Sequence, residues 1–241
     1  MSNKIIYSES GYGRNILNNL ADSGRYYRYL AGKINPFLGE VNLELGAGTG
    51  GVTAHIPPRK NLILVELSRD NVAVLTEKFN THPNIQVVHQ DIQSLPDELM
   101  KQLDAIYSSN VLEHIEDDSG LIRDTLARMK PGARFVAIVP AMRFLYSEVD
   151  RQLHHFRRYK KKDIRRVARG LPQAKLTHLA YFNPVGALGW WVKYKLMKSH
   201  TISENDSKLM DTLIPFIKWT DLLPLPFGQS LIFTFEKTNP S

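Results

Sequence analysis

Val41-Asn42-Leu43-Glu44-Leu45-Gly46-Ala47-Gly48-Thr49-Gly50-Gly51, followed shortly by Leu62-Ile63-Leu64-Val65-Glu66-Leu67, decides how this chain folds. Two short apolar runs flank a glycine-rich turn. Residues 62–67 are almost continuously apolar, the pattern of a strand buried on both faces rather than one that shows a face to water. The glycines permit a tight turn and a close approach of backbone to a ligand. Gly46, Gly48 and Gly51 satisfy G-x-G-x-x-G, the spacing of a turn that receives a nucleotide-bearing ligand, although that pattern alone is weak.

The rhythm continues outward. Residues 71–79 repeat apolar side chains at helical spacing through Val72, Leu75 and Phe79. Strands are expected at 85–88, 104–108 and 134–139, with a helix over 121–129 and a turn at Pro131-Gly132. Strands alternating with helices from about 40 to 140 predict an α/β fold, a doubly wound, mostly parallel sheet. Upstream, 25–34 reads as a helix stopped by Pro36. Beyond 140 a polar segment precedes a short helix over 161–169 with the apolar stripe Ile164, Val167, Ala168 and Leu171. Two more strands are expected near 175–182 and 230–236, giving seven in all, the last antiparallel. The chain therefore divides into a helical lid at 1–38, a ligand-binding core at 39–140, an acceptor-side segment at 141–182, an aromatic insertion at 183–227 and a last strand and tail at 228–241, all within a single domain.

Composition narrows the function classes. The 241 residues include 43% hydrophobic ones, enough for one sizeable core. Cysteine is absent, which removes disulfides, thiolate metal sites and any cysteine nucleophile. The start is not read as a signal peptide, and no run approaches the ~18–20 apolar residues that span a bilayer; a cytoplasmic location is the expectation. The net charge of +7 is concentrated: residues 151–169 hold nine Lys or Arg against the single acid Asp163. The remainder is close to neutral, so the basic character belongs to one stretch rather than to the whole surface.

Acidic residues follow the strands at regular places. Glu44 stands two residues before the first glycine, where a carboxylate is costly unless it finds a donor. Glu66 ends the second strand, where a carboxylate can accept both hydroxyls of a ribose; as a residue of a ligand crevice it is expected to matter little for folding. Asp91 ends the third strand, and Asn110-Val111-Leu112-Glu113-His114 follows the fourth.

This ordered set resembles the class I S-adenosylmethionine-dependent methyltransferases. Residues 44–50 match that family's E/D-x-G-x-G-x-G loop, Glu66 its ribose acid, Asp91 its adenine-side acid, and 109–114 its block after strand four. Lys130-Pro131-Gly132 matches the turn before strand five. The resemblance implies a seven-stranded Rossmann-like sheet and S-adenosylmethionine as cofactor. It implies contacts from Glu44, Gly46, Ala47, Gly48, Gly50, Glu66, Leu67, Asp91, Ile92, Asn110 and His114. A narrower likeness covers Leu145-Tyr146, Asp150, His155-Phe156-Arg157-Arg158-Tyr159 and Tyr181-Phe182-Asn183, with the upstream stretch 25–38. It is to bacterial small-molecule methyltransferases of biosynthetic clusters that carry a D…GHYRRY segment. His154 departs from it, standing where that group has glycine.

The expected acceptor is a hydroxyl or carboxylate of a small biosynthetic intermediate, a lipid-linked precursor or a modified peptide. The candidate catalytic residues are His155, Asp150, Arg158 and Tyr146. His155 serves as a base with Asp150 orienting it, or Asp150 pairs with Arg157 or Arg158 and simply fixes the loop; both readings stand on the sequence. Arg157 and Arg158 are candidates for holding an acidic acceptor, and Tyr146 for donating to it or closing over it. No metal site is expected, since Asp117-Asp118 read as solvent-facing or helix-capping. Ser108-Ser109-Asn110-Val111 lacks the Pro-Pro-aromatic box of enzymes that methylate DNA amino groups, and no specific nucleic acid partner is expected. Trp190, Trp191, Tyr194 and Met197, interleaved with lysines, suit lid packing or a peripheral membrane contact. Two alternatives remain: a nicotinamide-dependent oxidoreductase on a similar fold, which Glu44 disfavours, and a non-catalytic protein that binds nucleic acid or membrane.

Overall fold

A computed structural model of the chain describes residues 24–199, 201 and 203–239. The helical reading of the first 23 residues lies outside them. Seven strands form one sheet: β1 (Val41–Leu45), β2 (Asn61–Val65), β3 (Ile85–Val88), β4 (Ala105–Ser109), β5 (Arg134–Pro140), β6 (Ala174–Phe182) and β7 (Ser230–Lys237). Their order is β3-β2-β1-β4-β5-β7-β6. The first five run parallel, with Leu43 opposite Ile63 on one side and Ile106 on the other. β7 inserts antiparallel between β5 and β6.

The sheet is buried on both faces because its strands carry apolar residues at successive positions. Leu43, Ile63, Val65, Ile106 and Phe135 fill one layer, and Leu62, Leu64, Tyr107, Val136 and Ile138 the other. The helices that cover them are α1 (Gly24–Ile34), α2 (Arg69–Phe79), α3 (Asp97–Met100), α4 (Asp118–Arg128), α5 (Glu148–Gln152), α6 (Lys161–Arg169), α7 (Pro184–Trp190) and α8 (Glu204–Thr220). α6 has the expected stripe, with Ile164 and Leu171 buried and its arginines turned outward.

Three expectations change in detail. β2 stops at Val65: the Glu66 amide still donates to the Val88 carbonyl at 3.1 Å, but its side chain accepts from the Leu67 and Ser68 amides as the chain leaves the sheet. α4 begins at Asp118, earlier than the apolar spacing indicates, because Asp117 caps it by accepting from the Gly120 amide at 2.9 Å. Asp118 is neither solvent-facing nor a cap; it is buried, accepts from the Tyr159 hydroxyl at 2.6 Å and pairs with Arg157 at 3.1 Å.

The insertion and the N-terminal helix meet on the sheet. The Tyr26 amide donates to Asp211 at 2.8 Å, and Asp221, just past α8, accepts from the Tyr29 hydroxyl at 2.6 Å and the Asn183 amide at 2.8 Å. Lys33 pairs with the same carboxylate at 2.7 Å. One acidic group thus ties together α1, the start of α7 and the end of α8.

Candidate active site

The glycine turn lies where β1 leaves the sheet, at the carboxyl end of the parallel strands, the edge at which open α/β sheets hold their ligands. Gly46, Gly48 and Gly50 all have positive φ, at 69°, 57° and 72°. At Gly48 a side chain would meet nothing within 4 Å, so the loop leaves open room over that residue. The Tyr27 ring of α1 covers the other end, lying so close to Gly51 that a methyl group there would collide with it.

Glu66 is buried, and both its oxygens are engaged: Oε2 accepts from the Gly48 amide at 2.7 Å, and Oε1 from Leu67 and Ser68 at 2.9 Å each. It therefore anchors the glycine turn to the end of β2, and the expectation that folding is indifferent to it is corrected. Glu44 is buried on the same side of the sheet. Its Oε2 accepts from the Thr53 hydroxyl and from the Tyr107 hydroxyl at 2.9 Å. Burial outweighs these bonds and pushes its carboxyl up to about 7. Asp91 caps the turn after β3 through the Gln93 amide at 2.9 Å, with Ile92 buried behind it. Asn110, after β4, is exposed with φ 55°. Glu44, Glu66, Asp91 and Asn110 thus follow or end four adjacent strands, together with Ala47 and Leu67.

On the acceptor side, Asp150 is fully buried and gathers the predicted residues. Its Oδ1 accepts from His155 Nδ1 at 3.0 Å and from Arg158 Nε at 2.8 Å, and its Oδ2 from the Ser147 amide at 2.8 Å and hydroxyl at 3.1 Å. Burial raises the Asp150 carboxyl, but the His155 bond and the Arg158 charge outweigh it and hold it below the usual carboxylate range. An ionised carboxylate only accepts, so His155 donates from Nδ1, and in the neutral imidazole the lone pair then lies on Nε2.

Asp150 therefore makes both contacts that the two sequence readings called for, bonding His155 and pairing with Arg158. Arg158 is itself buried, donates to the Ala141 carbonyl at 3.3 Å and stacks 4.5 Å from the Trp190 ring centre. Its Nε and Nη1 are thus committed to the protein, and through Asp150 they fix the loop. Tyr146 is placed similarly: its hydroxyl donates to the His155 carbonyl at 2.7 Å. Arg157 lies on the outside of the loop, bonded to Asp118 and to the Glu116 carbonyl.

Glu113 is the residue that sequence reasoning passed over. It is fully buried in the block after β4, and among the described residues neither carboxylate oxygen has a hydrogen-bond partner in another residue. Burial pushes its carboxyl up to about 7 against the pull of His155, whose Nε2 lies 4.0 Å away. The His114 ring stands edge-on to the His155 ring at 4.7 Å, and burial lowers the His114 imidazole to about 3. Two titratable side chains in succession at a strand's carboxyl end were the available signal; that His155 joins them is a tertiary fact.

The insertion closes this region. Trp190 Nε1 donates to the Leu145 carbonyl at 3.0 Å, and Lys195 to the Tyr146 carbonyl at 2.9 Å. On the outer side of α7, Phe144, Leu188, Trp191, Phe216 and Phe227 line an apolar groove of about 430 Å³. Among the described residues no helix is long and apolar enough to cross a membrane.

Residues 43–135 match a family model described as a methyltransferase domain. A ribosomal RNA small subunit methyltransferase A of Dehalococcoides mccartyi is 31% identical over 127 residues, which are 48% of this chain and 43% of that protein. The chain thus spans less than half the length of this curated relative. Among solved structures, an S-adenosylmethionine-dependent methyltransferase from Clostridium acetobutylicum superposes with a TM-score of 0.59. That pair is 14% identical, and the match covers 94% of this chain and 98% of that one. The N-methyltransferase NodS from Bradyrhizobium japonicum, solved with S-adenosyl-L-homocysteine, gives 0.54 at 12% identity over 96% and 90%. At such identities these two structures establish the fold.

Proposed function

We propose that this chain, whose core is a class I S-adenosylmethionine-dependent methyltransferase domain, transfers a methyl group to an oxygen of a small or lipophilic acceptor. The cofactor is S-adenosylmethionine, and the residues fit it. The open room over Gly48 accepts a ligand against backbone, and carboxylates of Glu66 and Asp91 stand at the ends of β2 and β3. Glu66 has about one lone-pair position beyond its three amide bonds, so it offers one ribose hydroxyl an acceptor while holding the turn. The cofactor supplies an activated methyl on a sulfonium; the protein holds the two reactants in line and excludes water.

The observation that carries the choice of oxygen is the Asp150–His155 pair. With Nδ1 tied to a buried carboxylate, Nε2 points toward Glu113 as an acceptor of fixed direction. A hydroxyl seated there donates to Nε2 and loses its proton to it as the methyl arrives, and Asp150 stabilises the imidazolium that results. A carboxylate acceptor needs no such base. The apolar groove beside Phe144 and Trp191 supports a greasy portion in the acceptor, a lipid-linked precursor being one example.

The test is steady-state kinetics with labelled S-adenosylmethionine against panels of alcohols, carboxylic acids and RNA. For a hydroxyl acceptor, His155→Ala is expected to lower kcat by roughly 10²–10⁴ and to leave cofactor affinity within a few-fold. Near-normal turnover in that variant removes the base, and methylation confined to RNA replaces the acceptor class.

A further inference from the structure

We infer that Glu113, His114 and His155 form a binding site for one divalent transition-metal ion, beside the acceptor. The inference rests on the acceptor site placed above and changes what activates the oxygen there. One carboxylate oxygen and one ring nitrogen from each histidine all lie within 4.8 Å of one another. An ion bonded at about 2.1 Å spans donors up to about 4.2 Å apart, and the 4.0 Å between Glu113 Oε1 and His155 Nε2 falls inside that reach.

Three features separate this cluster from a chance gathering of polar groups. First, Glu113 is fully buried, and among the described residues no other residue bonds either of its oxygens. Leaving a buried carboxylate unpaired is strongly unfavourable unless a cation or proton compensates it, and a divalent ion placed between the three donors supplies that compensation. Second, His155 has its outer nitrogen bonded to a carboxylate, the arrangement that fixes the tautomer and ring direction of metal-binding histidines. Asp150 is in turn held by Arg158 and by both donors of Ser147, so the outer support is complete. Third, Glu113 and His114 come from one rigid turn after β4, and His155 from the loop that Tyr146, Arg158 and Trp190 hold in place.

The donor set indicates the class of ion. Two imidazoles with one carboxylate suit zinc, cobalt, manganese or iron(II), whereas magnesium and calcium favour oxygen ligands throughout. Three protein ligands leave coordination positions open, and an acceptor hydroxyl or carboxylate oxygen is the ligand this site admits. The lone pair of His155 Nε2 receives either a proton or the ion. With the ion bound, a coordinated hydroxyl is acidified directly and the histidine is no longer the base.

Cobalt(II) and zinc are the probes. The full chain, stripped with chelator and dialysed against each ion, is expected to retain one ion per chain at micromolar concentration. Cobalt is expected to give visible d–d absorption that zinc displaces. Glu113→Gln keeps the side-chain shape and is expected to lose affinity by at least the about 10–100-fold that an outer-shell change costs; His155→Ala is expected to do the same. Circular dichroism and S-adenosylhomocysteine titration of each variant report folding and the cofactor site separately. Sub-stoichiometric metal in a folded chain that binds S-adenosylhomocysteine overturns the metal site and leaves the methyltransferase reading intact. So does metal retained undiminished in both variants. Failure to bind S-adenosylhomocysteine, with metal bound normally, overturns the cofactor reading instead.

Discussion

A carboxylate has about four lone-pair positions, and Glu66 spends three of them on the amides of Gly48, Leu67 and Ser68. Glu66→Ala is therefore expected to act twice. It weakens cofactor binding by roughly 1.5–3 kcal/mol, as expected when a charged acceptor is lost. It also lowers unfolding stability by about 2–4 kcal/mol, because buried amides lose their partner. Urea unfolding without ligand isolates the second effect; an unchanged midpoint would show that the turn holds itself. Glu44 makes a pH-dependent forecast. Its carboxyl is raised in the folded chain to about 7 from an ordinary 4.5, so between those values the folded state binds more protons than the unfolded one. Stability from this group then falls as pH rises from about 5 to 8. Glu44→Gln abolishes that titration, and its stability relative to wild type is expected to grow over the same window by on the order of 3 kcal/mol at most. A pH-independent offset in urea melts would contradict it.

Among the elements, the loop after α5 carries a residue in a conformation that its side chain disfavours. His154 has φ 57°, at the position where the resembled group has glycine. A left-handed non-glycine residue costs roughly 1–2 kcal/mol, partly offset by the greater freedom glycine has when unfolded. His154→Gly is therefore expected to raise stability by about 0.5–1 kcal/mol in thermal melts, with the Asp150–His155 bond intact; a drop would mean that the imidazole itself holds the loop. The elements themselves were mostly legible. β1, β3 and α6 have the bounds their apolar spacing indicates, because burial and periodicity report the same faces. What was hidden follows from side chains bonding to backbone, to which apolar spacing is blind. Glu66 turns the chain out of the sheet after Val65, before the apolar Leu67, and Asp117 starts α4 before its first apolar position. The acceptor site was legible as a list and not as an arrangement. His155, Asp150 and Arg158 were candidates by type and place, yet only the fold shows that Asp150 bonds the other two and that Glu113 lies opposite.

Across the whole molecule, the sheet brings the proposed cofactor crevice and the proposed acceptor site to one edge, and two distant parts of the chain close over it. α1 contributes Tyr27 against the glycine turn, α7 contributes Trp190 against Arg158, and Asp221 joins both helices to α8. Calorimetric titration of the full chain with S-adenosylmethionine and S-adenosylhomocysteine probes the crevice without knowledge of the acceptor. Both are expected to bind with Kd roughly 1–100 μM. Gly48→Ala places a methyl group in the room left for the ligand, touching no protein atom within 4 Å but at a left-handed φ that costs a non-glycine residue roughly 1–2 kcal/mol; thermal melts are expected to record that loss with the fold kept, and binding to weaken at least about tenfold, or 1.4 kcal/mol. Absence of heat with either compound, alongside clear binding of a nicotinamide dinucleotide, would contradict the account, as would a Gly48→Ala variant that binds both as the wild type does.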